Sequence, residues 1–228
     1  MIDVYYGNSN EKFYGLLDIE PISVVKDIQQ YEGIQNYIKC PAATSYFHNM
    51  FVVKCPVDVS YDYIDDNNFG PKHAPEDAKN IMTFSFSDGM HLIQINLVEY
   101  LFMSQAPLTI TSLPPFMHNS VVNNFAVLPG EFDISQWYRP IHLSFYTETK
   151  ILPFDIRRGE ALFYIKFNTN EKISLKKYKV TQDLWHYAMN CVNLKHHLRK
   201  KNFNFLYNLF SKNSYNRRIV KEIKDNLI

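Results

Sequence analysis

Between residues 81 and 179 the chain alternates short apolar segments with turn signals, about one strand-length segment for every ten residues. Met82, Phe84 and Phe86 alternate with polar residues, which is typical of a strand with one buried face. Residues 161–167 are almost entirely apolar, which predicts a central strand buried on both faces. The chain also has 17 Phe and 16 Tyr, residues that favour strands. This pattern predicts a mostly β fold, an antiparallel sandwich or a jelly-roll-like arrangement.

The segments before residue 81 carry weaker signals. Residues 2–6, 12–19 and 50–53 have the apolar character of strands. A short helix is expected over residues 42–48. Residues 64–80 are predicted to be a loop, because Asp, Asn, Gly and Pro residues interrupt regular structure there.

The hydrophobic period changes after Thr181, a residue suited to the N-cap position of a helix. Leu184 and Ala188 then lie on one helical face. We therefore expect two parts: an acidic β-sandwich domain over residues 1–175, and a basic helical segment over residues 176–228 that packs on it.

Charge divides between these two parts. Residues 176–228 contain 12 Lys and Arg against three carboxylates, a net charge of +9, whereas the other residues carry −8. Such a split predicts either that the basic segment docks on an acidic body, its own or a neighbouring copy's, or that it binds nucleic acid. The candidate residues for docking or nucleic-acid contact are Lys195, Arg199, Lys200, Lys201, Arg217 and Arg218.

The sequence lacks the short motifs of several enzyme classes. It has no Gly-rich phosphate loop, no nucleophile elbow and no Cys-x-x-Cys zinc spacing. Cys40, His48 and Cys55 suggest a metal site, but two buried thiols, each followed by a proline, are the better interpretation. These absences favour a protein with no enzymatic activity, no metal site and no cofactor.

An enzymatic alternative stays open because His91, His118 and His142 lie at strand positions that could supply an iron site in a jelly roll. Such sites usually place a carboxylate two residues after a histidine, on the same strand face. None of the three histidines has one, so polar or partner-contacting roles are the favoured interpretation for them.

Trp137, Tyr138 and Arg139 form the most distinctive local cluster in the sequence. An aromatic pair beside an arginine can grip a planar or anionic ligand. The cluster can equally close one end of the core, with Arg139 paired to a carboxylate. For an enzyme that acts on a nucleotide or uses iron, the first catalytic candidates are His118, Arg139 and His142.

Two general features bear on location. The first residues, Met-Ile-Asp-Val-Tyr-Tyr, have neither the basic nor the apolar region of a signal peptide, and no apolar run approaches about 18 residues. Three cysteines, an odd and low number, fit a reducing compartment. The sequence therefore predicts a protein that is neither secreted nor embedded in a membrane.

Several segments carry a family likeness: Lys39-Cys40-Pro41-Ala42, the run over residues 49–56, the run over residues 128–134, Trp137-Tyr138-Arg139-Pro140-Ile141, and Arg158-Gly159-Glu160. Over about residues 36–168 the chain resembles an uncharacterised family of tailed-bacteriophage proteins. That resemblance implies a viral source, a β-sandwich, and a location in the host cytoplasm or the virion. It implies no activity and no functional residue.

A second likeness rests on Pro129-Gly130 and Gly159-Glu160, each placed before a strand. These resemble the late strands of the dUTPase and dCTP deaminase fold. The Ser-rich arginine motif of that family is missing around residues 114–125, so the resemblance carries no catalytic residue.

These features favour a non-enzymatic binding or assembly protein encoded by a phage, which is either associated with the virion or directed at the host. Its expected partner is a protein or a second copy of itself. The alternatives are an enzyme on a jelly-roll scaffold and a nucleic-acid-binding protein that uses the basic segment.

Overall fold

The structure is a computed structural model that describes residues 1–9, 20–65, 68–73, 83–87, 90–147, 153–198, 202–212 and 215–228. Within these residues, the chain is mostly strands arranged in three sheets, with helices before the third strand and after the last one. The predicted mostly β class is therefore confirmed. The strands of this part of the chain form no closed barrel.

The strands are β1 (Ile2–Asn8), β2 (Ile22–Ser23), β3 (Met50–Lys54), β4 (Val59–Asp65), β5 (Asn68–His73), β6 (Thr83–Ser87), β7 (Met90–Ser104), β8 (Thr109–Leu113), β9 (Ala126–Val127), β10 (Gly130–Asp133), β11 (Pro140–Thr147), β12 (Phe154–Ile156), β13 (Ala161–Phe167) and β14 (Ile173–Lys177). The helices are α1 (Val24–Ile28), α2 (Gln35–Ile38), α3 (Pro41–Tyr46), α4 (Gln182–His197), α5 (Phe203–Lys212) and α6 (Tyr215–Asp225). The predicted strand over residues 12–19 lies outside the described residues.

Sheet A has the strand order β14-β1-β7-β11-β9, with β6 pairing to β7. The β1–β14 pair is parallel and the other pairs are antiparallel. Strand β7 is 15 residues long and pairs with β1 through residues 100–104 and with β6 through residues 90–94. It is thus the longest scaffold element of the sheet.

Sheet B has the order β10-β8-β13-β3-β2, and sheet C has the order β12-β4-β5. Strand β13 is central and almost wholly buried, as its continuous apolar run predicts. Strand β5, however, lies within residues 64–80, which the sequence predicts to be a loop. Pro71 is compatible with a strand here because β5 is the edge strand of its sheet, where a missing backbone N–H leaves no gap in a ladder.

The hydrophobic core consists of three clusters, and alternate residues of one strand face different clusters. In β13, Phe163 and Ile165 face the largest cluster, which takes residues from all three sheets, and Tyr164 faces a cluster shared with α1–α3. In β1, Tyr6 faces the largest cluster and Tyr5 faces a cluster formed with α4–α6. The two groups of helices therefore pack on different sheets.

The C-terminal helices belong to the core of the molecule. Thr181 caps α4 as predicted, since its Oγ1 accepts a hydrogen bond from the amide of Leu184 at 3.3 Å. Residues from α4, α5 and α6 share a cluster with Leu101 and Met103 of β7. Within the part of the chain that is described, no helix has the length and apolar character needed to span a membrane.

Candidate functional site

Four polar side chains from separate elements meet on the face of sheet B that carries α1–α3. Asp27 of α1 lies 2.6 Å from Lys54 Nζ and 2.7 Å from His118 Nε2. His118 Nδ1 lies 2.5 Å from the hydroxyl of Tyr164, which also accepts a 3.1 Å hydrogen bond from the amide of Met117. We call Asp27, Lys54, His118 and Tyr164 the buried polar network.

These hydrogen bonds suit a neutral imidazole that is protonated at Nε2. The Tyr164 hydroxyl accepts from the Met117 amide and can therefore donate its own proton to Nδ1 of His118, while Nε2 donates to the Asp27 carboxylate. Burial lowers the pKa of His118, and the hydrogen bond to Asp27 opposes this only in part. Burial also raises the pKa of Tyr164. At neutral pH the imidazole and the phenol are both uncharged.

The network is built for support rather than for proton transfer to a substrate. The side chains of His118 and Asp27 are only 4% and 6% exposed, and their polar atoms already have partners within the protein. A general acid or base must come within hydrogen-bond reach of the substrate proton that it transfers. The network instead joins α1, β3, β13 and the segment after β8, and a satisfied buried network of this kind fixes one arrangement of a core.

Aromatic side chains cover this network and continue to the surface. Tyr31 meets the His118 ring edge-on with ring centroids 5.7 Å apart, and Phe116 meets the Tyr164 ring in the same way at 5.2 Å. Tyr46 lies beside Phe116, with centroids 6.1 Å apart. Tyr31, Tyr46 and Phe116 are all exposed, and we call these three residues the aromatic surface.

The two ends of the aromatic surface carry opposite charges. Beside Tyr46, the ammonium group of Lys166 lies 4.5 Å from the ring centroid and donates a hydrogen bond to the Tyr46 carbonyl. At the other end, the exposed residue Glu32 follows Tyr31 in the chain. The aromatic surface thus has an exposed acidic residue next to Tyr31 and a basic side chain against Tyr46.

Arg139 and His142, two of the three catalytic candidates, lie close together at sheet A. The Arg139 side chain lies over the ring of Phe132, 4.9 Å from its centroid, and its Nε atom is buried without a hydrogen-bond partner. Burial lowers the pKa of His142 to about 4, and the positive charge of Arg139 adds to this shift. His142 is therefore neutral at pH 7, and its 3.9 Å approach to Glu99 is no ion pair at that pH.

His118, the third candidate, belongs to the buried polar network instead. Its partner Tyr164 lies in the cluster under α1–α3, on the opposite side of sheet B from the largest cluster. The structure therefore brings Arg139 and His142 together and places His118 apart from them. Two clefts of the described residues, of about 510 and 460 Å³, contain none of the three. The first is lined by Thr109, Glu131, Asp133, Gln136, Tyr207 and Asn208, and the second by Lys39, Pro41, Thr44, Ser45, His48 and Asn170.

Trp137 and Tyr138, proposed above as ligand-gripping or core-closing residues, are both buried in the cluster under α4–α6. The Trp137 ring lies against Tyr207 and Phe210 of α5, and the Tyr138 hydroxyl lies 2.9 Å from the hydroxyl of Tyr178. Both residues are therefore part of the core. Among the described residues no carboxylate forms an ion pair with Arg139.

The predicted docking cations differ in how far the structure describes them. Arg217 and Arg218 are exposed on α6. Lys195 lies on α4, and Arg199, Lys200 and Lys201 fall outside the described residues.

The histidines and cysteines of the described residues gather into no metal-binding group of three or more ligands. Cys55 is buried, its thiol donates to the Val57 carbonyl, and burial raises the pKa of the thiol to about 12. Cys40 is exposed, so the interpretation of two buried thiols is wrong for that residue. The side chain of His91 is not among those described.

Comparisons with protein-family models, with curated proteins and with solved structures found no match. The resemblances to tailed-bacteriophage proteins and to the dUTPase and dCTP deaminase fold therefore stay predictions.

Proposed function

We propose that the protein is a non-enzymatic assembly protein that forms a twofold-symmetric dimer through the aromatic surface. The observation that carries this proposal is the exposure of three aromatic side chains around the buried polar network. Tyr31 packs on His118, and Phe116 packs on Tyr164 and lies beside Tyr46. Large aromatic side chains are enriched at the centres of protein interfaces, where they are fully removed from water. Exposed groups of large apolar side chains mark interaction sites.

Charge supports a second copy as the occupant. In a twofold contact the same patch is used by both subunits, so each end of one patch meets the opposite end of the other. The acidic end at Glu32 would then face the basic end at Lys166 of the second copy, and the aromatic rings would stack between them. A patch with only one sign of charge would repel its own copy.

The buried polar network supports the proposal by holding the patch in shape. Tyr31 and Phe116 rest on the rings of His118 and Tyr164, whose positions are fixed by hydrogen bonds to Asp27 and Met117. Binding to a preformed surface avoids the entropy cost of ordering it.

The sequence resemblance to tailed-bacteriophage proteins agrees with an assembly role in the virion or in the host cytoplasm. We also propose that the sheets are arranged as a sandwich or as a jelly roll. It is supported by the largest core cluster, which takes inward-facing residues from both sheet A and sheet B.

The first test compares molar mass by sedimentation or light scattering over a range of concentrations. The wild-type protein is expected to dimerise, and the double substitution Tyr46→Ser/Phe116→Ser to weaken the dimer strongly. The matched control is Phe205→Ser on α5, since Phe205 is 44% exposed and Phe116 is 43% exposed. A monomeric wild-type protein, or a dimer unaffected by the double substitution, would overturn the proposal.

A charge exchange tests the twofold geometry itself. Glu32→Lys and Lys166→Glu should each weaken the dimer, because each places like charges opposite one another. Combining the two substitutions should restore much of the lost affinity. Additive losses in the combined variant would show that these residues do not face each other.

A further inference from the structure

The exposed side of α6 carries four cations and, at its C-terminal end, one carboxylate. Ile219, Val220 and Ile223 bury one side of the helix in the cluster shared with sheet A. The exposed side carries Arg217, Arg218, Lys221 and Lys224, which we call the basic face. Residues spaced by three or four positions lie on one side of a helix, so these cations form a line about 10 Å long.

Carboxylates do little to neutralise this line. Glu222, which lies between Lys221 and Lys224 in sequence, is half-buried and accepts a hydrogen bond from Thr181 at 3.1 Å. Asp225 is exposed at the end of the helix. The four cations and two carboxylates leave α6 with a net charge of +2, and the carboxylate of Glu222 is held at the side of the helix that meets α4.

The helix is firmly attached at both ends. Near its start, the Asn216 side chain donates to the Ser135 carbonyl. Beyond its end, the Lys179 amide donates to the Asn226 carbonyl at 2.9 Å, and the Ile228 amide donates to the Lys177 carbonyl at 3.1 Å. The cations are therefore presented on a rigid element, which suits a binding site better than a loop does.

The chemistry of this face selects among anionic partners. Protein interfaces have an apolar core in which Lys is depleted. Between Arg217 and Lys224 the exposed positions of α6 hold no large apolar side chain, so the face lacks such a core. A nucleic-acid backbone needs only a line of cations, because its phosphates recur regularly and bind mainly through charge.

We propose that the basic face of α6 binds the phosphate backbone of double-stranded DNA, without reading its sequence. The contacts would be made by the guanidinium groups of Arg217 and Arg218 and by the ammonium groups of Lys221 and Lys224. Arginine can hold a phosphate with two parallel hydrogen bonds, and lysine acts as a point charge. Because α6 and the aromatic surface pack on different sheets, DNA binding and dimerisation use separate surfaces.

The test measures binding of the full-length protein to a labelled DNA duplex by fluorescence anisotropy at several salt concentrations. Four phosphate contacts predict a slope of about −3.6 in a plot of log K against log salt concentration. The double substitution Arg217→Gln/Lys221→Gln should reduce the slope by about 2 and weaken binding roughly tenfold or more. The double substitution Arg218→Gln/Lys224→Gln, at a second exposed pair, should reduce the slope and the affinity by similar amounts.

The matched control is Lys26→Gln/Lys172→Gln, which removes two exposed positive charges outside the C-terminal helices. It should leave the slope unchanged. Equal losses in the control and in the α6 variants would mean attraction by overall charge and would overturn the proposal, as would no binding or binding that does not vary with salt. Polyglutamate that competes as well as unlabelled DNA would assign the face to an acidic protein, also against the proposal.

Discussion

His118 Nε2 lies 2.7 Å from Oδ2 of Asp27, although 91 residues separate the two along the chain. Asp27 belongs to the short helix α1, and His118 lies in the segment after β8, which ends at Leu113. Since α1 is only five residues long, it has little stability of its own, and this contact, with the Lys54 ion pair, holds it on sheet B.

Replacing Asp27 by alanine should strongly destabilise the fold. The substitution leaves the ammonium group of Lys54, whose side chain is only 16% exposed, without its carboxylate. Breaking a buried pair by removing one partner costs roughly 3–5 kcal/mol. Urea unfolding would measure the loss, with Lys26→Ala on the exposed side of α1 as the control. A loss no greater than that of the control would mean that the network contributes little.

His142 should make the protein less stable in mild acid. Its pKa is about 4 in the folded protein, against an ordinary value of 6.5, so the folded state favours the neutral ring. The resulting stability is present above pH 6.5 and is lost as the pH falls toward 4, by about 3 kcal/mol in all. Glu99, 3.9 Å away, has a pKa raised by burial and acts in the opposite direction, as its protonation on acidification favours the folded state.

The contribution of His142 can be isolated by comparing the wild-type protein with His142→Gln. The free energy of unfolding, measured between pH 7 and pH 4.5, should fall less steeply in the variant. His118, whose pKa is also lowered, is present in both proteins and cancels in the difference. Parallel pH profiles would show that His142 has an ordinary pKa.

Gly7→Ala should destabilise the protein by crowding. A Cβ atom at residue 7 would lie 2.7 Å from Val180 Cγ2 and 2.8 Å from the Tyr178 ring, both of them buried. Overpacking of this kind costs about 1–3 kcal/mol. The comparison is Gly33→Ala, where there is space for a Cβ and the cost comes from the positive φ of +83°, about 1 kcal/mol. Thermal unfolding that ranks Gly33→Ala as the more damaging change would contradict this packing.

Thr181→Ala should weaken the attachment of the C-terminal helices. It removes the N-cap of α4 and the hydrogen bond that the Thr181 hydroxyl donates to Glu222 of α6. Loss of an N-cap costs about 1 kcal/mol. Thr181→Ser keeps the hydroxyl and should retain most of the stability in the same urea titration. Equal losses in both variants would place the effect in the methyl group.

Local features of this fold were predictable, and pairings between distant segments were not. The continuous apolar run of β13 and the N-cap at Thr181 depend on neighbouring residues alone. Strand β5 has the Gly and Pro residues of a loop, and its position at a sheet edge, which the sequence does not indicate, permits them in a strand.

The candidate site was predictable only in part. His118 stood out as a polar residue among strands, but its partners Asp27 and Tyr164 are 91 and 46 residues away. No periodicity in a single sequence indicates which strands become neighbours. The sequence near each residue therefore does not predict the buried polar network or the aromatic surface above it. Phe116 and Tyr46, 70 residues apart in sequence, meet only because of that strand order.

The central position of β13 also shapes how the chain reaches its native state. Strand β13 lies between β3 and β8, both of which precede it by more than 40 residues. During synthesis, β3 and β8 each keep an open edge until residue 167 is available, and unpaired edges invite association with other chains. Sheet B therefore closes in one late, long-range step, and we expect slow cooperative folding that benefits from a chaperone.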